Sequence, residues 1–140
     1  MGMTPVKQDL EIWQGKTYEM PFTFGTKINL RDDDGNLIEN EDGSFKYEII
    51  TTKLNGYTAR MQLRPSIDSD TITLELTTEN GRILIDEDHG VVTLFLTDEE
   101  TADLAVSSYK YDLELITASG RVYGPLYGKV KVKAEVTRDA

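Results

Sequence analysis

The sequence contains no cysteine, one histidine, one tryptophan and only four prolines. Without cysteine, disulfides, thiolate nucleophiles and cysteine-based zinc sites are excluded. A lone histidine, His89, cannot build a multi-histidine metal centre. Cationic residues are also scarce, 15 Lys and Arg against 25 Asp and Glu, for a net charge of -10. That balance argues against a general nucleic-acid binder, whose phosphate contacts need a basic surface. It argues equally against docking on anionic membranes. No stretch approaches the ~20 apolar residues that span a bilayer. The opening MGMTPVKQDLEIW lacks the basic start and apolar run of a secretion signal. The expectation is a chain made and folded in a reducing cytoplasm, or assembled there into something larger. No cofactor, nucleic-acid partner or membrane partner is expected.

The chain does have a hydrophobic fraction of 39% spread over 140 residues, enough for one domain, residues 1–140, with a closed core. The dominant period is two, which marks half-buried strands. Leu10 and Ile12 alternate with Asp9 and Glu11. Tyr18, Met20, Phe22 and Phe24 follow the Gln14-Gly15 turn, and Tyr57, Ala59, Met61 and Leu63 form the next run. Further runs centre on Leu74, Ile83, Leu94 and Leu113, and the last covers residues 122–136. Seven or eight short strands at this spacing predict an all-β fold: a single antiparallel β-sandwich, immunoglobulin-like or jelly-roll-like. One helical signal interrupts them. Thr97-Asp98-Glu99-Glu100 is a capping box, predicting one short helix within 97–105. Tyr109-Lys110-Tyr111 then opens the next run in a way loosely similar to a tyrosine corner.

Residues 25–54 differ in character. Asp34-Gly35 and Asp42-Gly43 are hairpin-turn signals between short apolar pieces. They predict an inserted hairpin or extended loop between the second and third core strands. The carboxylates of 32–42 raise the question of calcium, but the EF-hand pattern needs Gly at its sixth position and Glu at its twelfth. The registers set by Gly35 and Gly43 start at Leu30 and Ile38 and both fail, so solvated acidic turns are expected. Asp86-Glu87-Asp88-His89-Gly90 reads as an exposed hairpin tip; a carboxylate–histidine pair alone, without a nucleophile pattern, does not make an active site. Gly124 and Gly128 lie within a strand pattern and open no helix, which removes a phosphate loop. No enzyme is expected.

The remaining candidate is the stretch RVYGPLYGKVKV. If Val122, Leu126, Val130, Val132, Ala134 and Val136 face the core, then Arg121, Tyr123, Pro125, Tyr127, Lys129, Lys131 and Lys133 face outward. Lysine and proline blunt a free sheet edge. Tyrosine is enriched at protein interfaces. Edge protection and a protein interface are both open readings. Trp13 falls beside the Gln14-Gly15 turn, either as a cap on the core or as a contact anchor.

Three stretches carry a resemblance: LEIWQGKTYEMPFTF, LNGYTARMQLRPS and YKYDLELITASGRVYGPLYGKVKVKAEVTR. Together they resemble a family of small virion proteins of tailed bacteriophages. They are distantly similar to the N-terminal, all-β domain of siphophage upper baseplate proteins. The likeness spans most of the chain outside 25–53, and the ending is its most specific part. It implies a non-enzymatic structural component of the virion, in the tail, baseplate or fibre-attachment region. Its partners would be other virion proteins and copies of itself. A head-decoration or collar protein is the alternative. A carbohydrate-binding module stacking host glycans on Trp13, Tyr123 and Tyr127 is a third reading. The shared motifs read as core strands and turns, so the resemblance assigns no binding residue.

Overall fold

In the computed structural model, which describes residues 3–138, the chain is mostly β-strand with one short helix. Strand β1 is Val6–Lys7, β2 is Leu10–Trp13 and β3 is Tyr18–Thr23. Strands β4 (Gly25–Asn29) and β5 (Tyr47–Thr51) follow, then β6 (Thr58–Arg64), β7 (Leu74–Thr77), β8 (Ile83–Asp86) and β9 (Val91–Leu96). Helix α1 (Asp98–Ala102) connects β9 to β10 (Ser108–Ile116), and β11 (Val122–Lys133) completes the set.

The strands form three sheets. The largest runs β1-β11-β10-β6-β7, with β2 also on β11; the second is β3-β9-β8; the third is the β4-β5 hairpin. Alternation explains how the first two close one core. Ala59, Met61 and Leu63 of β6 and Leu113 and Leu115 of β10 share a single buried cluster with Ile83 of β8 and Val92, Leu94 and Leu96 of β9. At roughly 1.5–3 kcal/mol for each fully buried Leu or Val side chain, this cluster is the main stabilising term.

The connection across the end of the core is held by polar contacts. The Thr97 hydroxyl accepts from the Glu100 backbone N–H while the Glu100 carboxylate accepts from that of Thr97, so the predicted capping box is present. Buried Thr101 donates its hydroxyl to the Lys16 carbonyl at 2.8 Å. The Tyr109 hydroxyl donates to the Ala105 carbonyl at 2.9 Å, tying the incoming chain to its own connection.

Three expectations need correction. Strand β11 is not an edge strand: β10 flanks it antiparallel on one side, and β1 and β2 flank it parallel on the other. Lysine and proline on β11 therefore do not protect a free edge, and the sheet is not purely antiparallel. Second, the alternation along β11 changes phase. Leu113 pairs with Leu126 but Leu115 pairs with Tyr123, so a bulge lies between them, at Pro125, which has no N–H to give the ladder. The bulge buries Pro125, turns Tyr123 partly inward and leaves Val122 49% exposed. Third, β11 ends at Lys133, so Ala134 and Val136 are exposed rather than in the core.

One buried group is unsatisfied. The Tyr18 hydroxyl has no hydrogen-bond partner among the described residues, and burial pushes its pKa up to about 12. A buried donor left unpaired costs about 1–3 kcal/mol. Tyr18→Phe should therefore leave stability unchanged or raise it by about 1 kcal/mol in urea titration. Leu113→Ala should lose about 2–5 kcal/mol at the centre of the core. A clear loss of stability in Tyr18→Phe would show that the hydroxyl holds a partner.

Candidate functional site

The outer edge of β11 is shared by two strands in succession. Val6 and Lys7 pair with Leu126 and Tyr127, and Leu10 to Trp13 pair with Val130 to Lys133. Between them the ladder is interrupted at Gln8 and Asp9. Gln8 donates its N–H to the Tyr127 carbonyl at 2.8 Å, and the Asp9 carboxylate accepts the Lys129 N–H at 3.0 Å. Buried Tyr111 reaches from the next strand to donate to the Gln8 carbonyl. Strand β11 carries a glycine where the chains come closest: a Cβ on Gly128 would lie 2.8 Å from both Asp9 Oδ1 and the Gln8 carbonyl. The backbone bond from Lys129 holds the Asp9 carboxyl below its ordinary pKa.

This junction aims the outward side chains of five strands. Lys129, Lys110 and Arg64 lie in one row across β11, β10 and β6. The adjacent row is Lys7, Tyr127, Asp112, Gln62 and Glu75. Beyond it Arg60 meets Glu114 at 2.6 Å. Together they line a shallow trough of about 740 Å³, with Ile67 standing 80% exposed at its side.

Its electrostatics are uneven. Among the described residues, Lys7, Lys110, Lys129 and Lys131 take part in no ion pair. Arg64 spends its N–H groups on the Ser69 carbonyl and the Gln62 side-chain oxygen. Like charges directly opposite on adjacent strands cost up to about 1 kcal/mol. The row Lys129-Lys110-Arg64 carries that cost on a protein of charge -10. Asp112 sits beside it with its pKa raised, first by the neighbours that displace water from it and then by the like charge of Glu114.

The sequence candidates divide. Tyr127, 46% exposed, stands on this outer face with Lys129 and Lys131. Trp13, 45% exposed, shares the face at the far end of β11 opposite Lys133, and does not cap the core. Its Nε1 donates to Glu11 at 3.1 Å, and the Lys133 ammonium lies 5.9 Å from its ring. Tyr123 and Pro125 lie beyond the bulge and leave the stripe. Six residues of strand, about 20 Å, separate Tyr127 from Trp13, so the three rings do not form one stacking platform. Lys7, Arg64, Lys110 and Ile67 escape a sequence reading because only strand pairing brings them to Tyr127.

A second surface stands on the β4-β5 hairpin. Phe45, Tyr47, Ile49 and Ile50 are exposed there, Tyr47 at 53% and Ile49 at 54%. Lys27 lies 4.5 Å over the Tyr47 ring. Beyond the hairpin the chain folds into two tight turns. Asp32 accepts the N–H groups of Asp34 and Asn36, and Asp42 accepts that of Ser44. The tip from 32 to 42 carries six carboxylates and no cation. Among the described residues no three carboxylate or histidine side chains come together as a metal site. The hairpin's root is fixed by close packing: Gly90, with φ 66°, would place a Cβ 2.4 Å from the Thr52 carbonyl. The Phe24 N–H donates to the Gly90 carbonyl at 2.9 Å.

The two aspartates of the junction and trough predict opposite pH effects. Asp9, with a lowered folded pKa, contributes stability above the ordinary carboxylate range of ~4 that is lost as pH falls through its folded value. Asp112, with a raised folded pKa, contributes stability at low pH that is lost as pH rises. Urea midpoints should therefore show Asp9→Asn weaker than wild type near pH 7 and similar near pH 3. Asp112→Asn should be more stable near pH 7, the gain fading toward pH 3. The reverse order would contradict the geometry. No described protein family matches the chain, and no curated protein matches it.

Proposed function

We propose that the protein is a non-enzymatic assembly component of a tailed-phage particle, in the tail, baseplate or fibre-attachment region. The observation that carries the assembly role is the β4-β5 arm, whose aromatic and aliphatic side chains face solvent on a two-stranded hairpin. Such a hairpin is marginal by itself, and exposed apolar surface of this kind marks contact sites. The virion setting rests on the resemblance of the three sequence stretches to small phage virion proteins. The Asp86–His89 contact at 3.0 Å lies open to solvent at a turn, and among the described residues no third group orients the imidazole.

The fold is read as an immunoglobulin-type sandwich rather than a jelly roll. Strands β3, β9 and β8 take the places of B, E and D, and β6, β10 and β11 those of C, F and G, with β7 as C′. The bond from Tyr109 to Ala105 is in keeping with a tyrosine corner before strand F. In that frame the arm occupies the B–C loop. Gly56 at its end packs on Ala118 of the F–G turn, so the arm projects from the end where such domains carry recognition loops.

Purified particles tested by mass spectrometry should contain the chain in a fixed ratio to the tail proteins. Tyr47→Ser with Ile49→Ser should leave the unfolding free energy from urea titration within about 0.5 kcal/mol of wild type, as for exposed sites, yet lower incorporation at least tenfold. A chain that stays in the lysate and is missing from density-banded particles would contradict the proposal.

A further inference from the structure

The molecule carries two surfaces of opposite charge that do not meet within one chain. No residue of the arm lines the trough. We infer that the acidic arm tip of one copy docks into the basic trough of another, a head-to-tail contact that rests on the assembly role proposed above and names its partner.

The match is chemical as well as electrostatic. Five cations line the trough, Lys7, Arg60, Arg64, Lys110 and Lys129, against the three carboxylates Glu75, Asp112 and Glu114, around an exposed tyrosine and an exposed isoleucine, and Glu114 is already paired with Arg60. The arm offers six carboxylates at its tip that form no ion pair among the described residues, with Phe45 just ahead of β5 and Tyr47 and Ile49 on that strand. Its eight residues from Gly25 to Asp32 reach about 25 Å when extended, long enough for tip and apolar strand to lie along a neighbour's sheet together. Docking would set carboxylates against the row Lys129-Lys110-Arg64 and relieve its like-charge repulsion. It would also cover the apolar side chains that the lone hairpin leaves in water. The two surfaces differ, so the contact is heterologous and closes into a ring or continues as a filament. A two-fold dimer is not the expected product.

The charges that make the contact can be reversed without disturbing the fold, because among the described residues the side chains of Lys110, Lys129, Asp33, Asp34 and Glu41 take no part in ion pairs or hydrogen bonds. Sedimentation of the full chain at ~50 mM salt should give a multiple of the monomer mass, and that mass should fall toward the monomer at ~500 mM salt as screening shortens the reach of the charges. Lys110→Glu with Lys129→Glu should be monomeric, and so should Asp33→Lys with Asp34→Lys and Glu41→Lys. An equal mixture of the two variants should reassemble, since each reversed surface then finds its complement. A wild-type chain that stays monomeric at low salt overturns the inference and leaves the assembly role to a different virion protein. An oligomer whose mass ignores both reversals also overturns it, while the assembly role stands on another contact. Incorporation into particles reports on that role separately.

Discussion

Two short strands share one edge of β11, and a single carboxylate spans the gap between them. Asp9 takes the Lys129 N–H that no backbone carbonyl reaches, and Gly128 lets the chains approach closely enough for it to do so. With that edge occupied, β11 becomes an inner strand, paired along both sides. An inner strand cannot slip by one residue without turning Val130 and Val132 out of the core. The junction therefore fixes which side chains face water. Tyr127 and Lys129 are held in register with Lys110 and Arg64, and the trough is a consequence of that register.

Much of this was legible in the sequence because burial imposes a period of two. The runs around Ile12, Met20, Met61, Leu94 and Leu113 became strands, and the capping box at Thr97 became the start of the helix. The D-G pairs became turns of an inserted hairpin. What escaped was set by partners distant in sequence. Nothing local distinguishes an edge strand from one flanked by residues more than a hundred positions away, as Lys129 is by Asp9. Pro125 was visible as a residue without an N–H, but whether it would sit at an edge or force a bulge depended on β11 having a neighbour there. Once the bulge shifts the phase, Tyr123 and Val122 exchange faces, and a stripe read from alternation alone breaks at that point. The trough was illegible for the same reason: its cations come from four strands.

The arm and the two-sheet body obey different rules. In the body, each apolar side chain finds another across the core, and polar ends are tied down by Tyr109, Thr101 and the helix cap. In the arm, turn chemistry at Asp32 and Asp42 shapes the backbone while Phe45, Tyr47, Ile49 and Ile50 stay about half exposed. The body thus presents an acidic extension with exposed apolar side chains and, on its larger sheet, a shallow trough in which cations outnumber carboxylates, the two surfaces that the proposed contact would use. The charge of -10 is thus not spread evenly. The arm tip holds six carboxylates and no cation between residues 32 and 42, and the sheet face holds Lys7, Lys110 and Lys129, which form no ion pair among the described residues.

The pairing of arm with trough can be seen directly by zero-length carbodiimide coupling of carboxylates to lysines in an equal mixture of normal and 15N-labelled protein. The expected products are mixed-isotope peptide pairs that join residues 32–42 of one chain to Lys110 or Lys129 of another. Coupling found only between peptides of the same isotope, or none between these segments while the protein remains assembled, would contradict the contact.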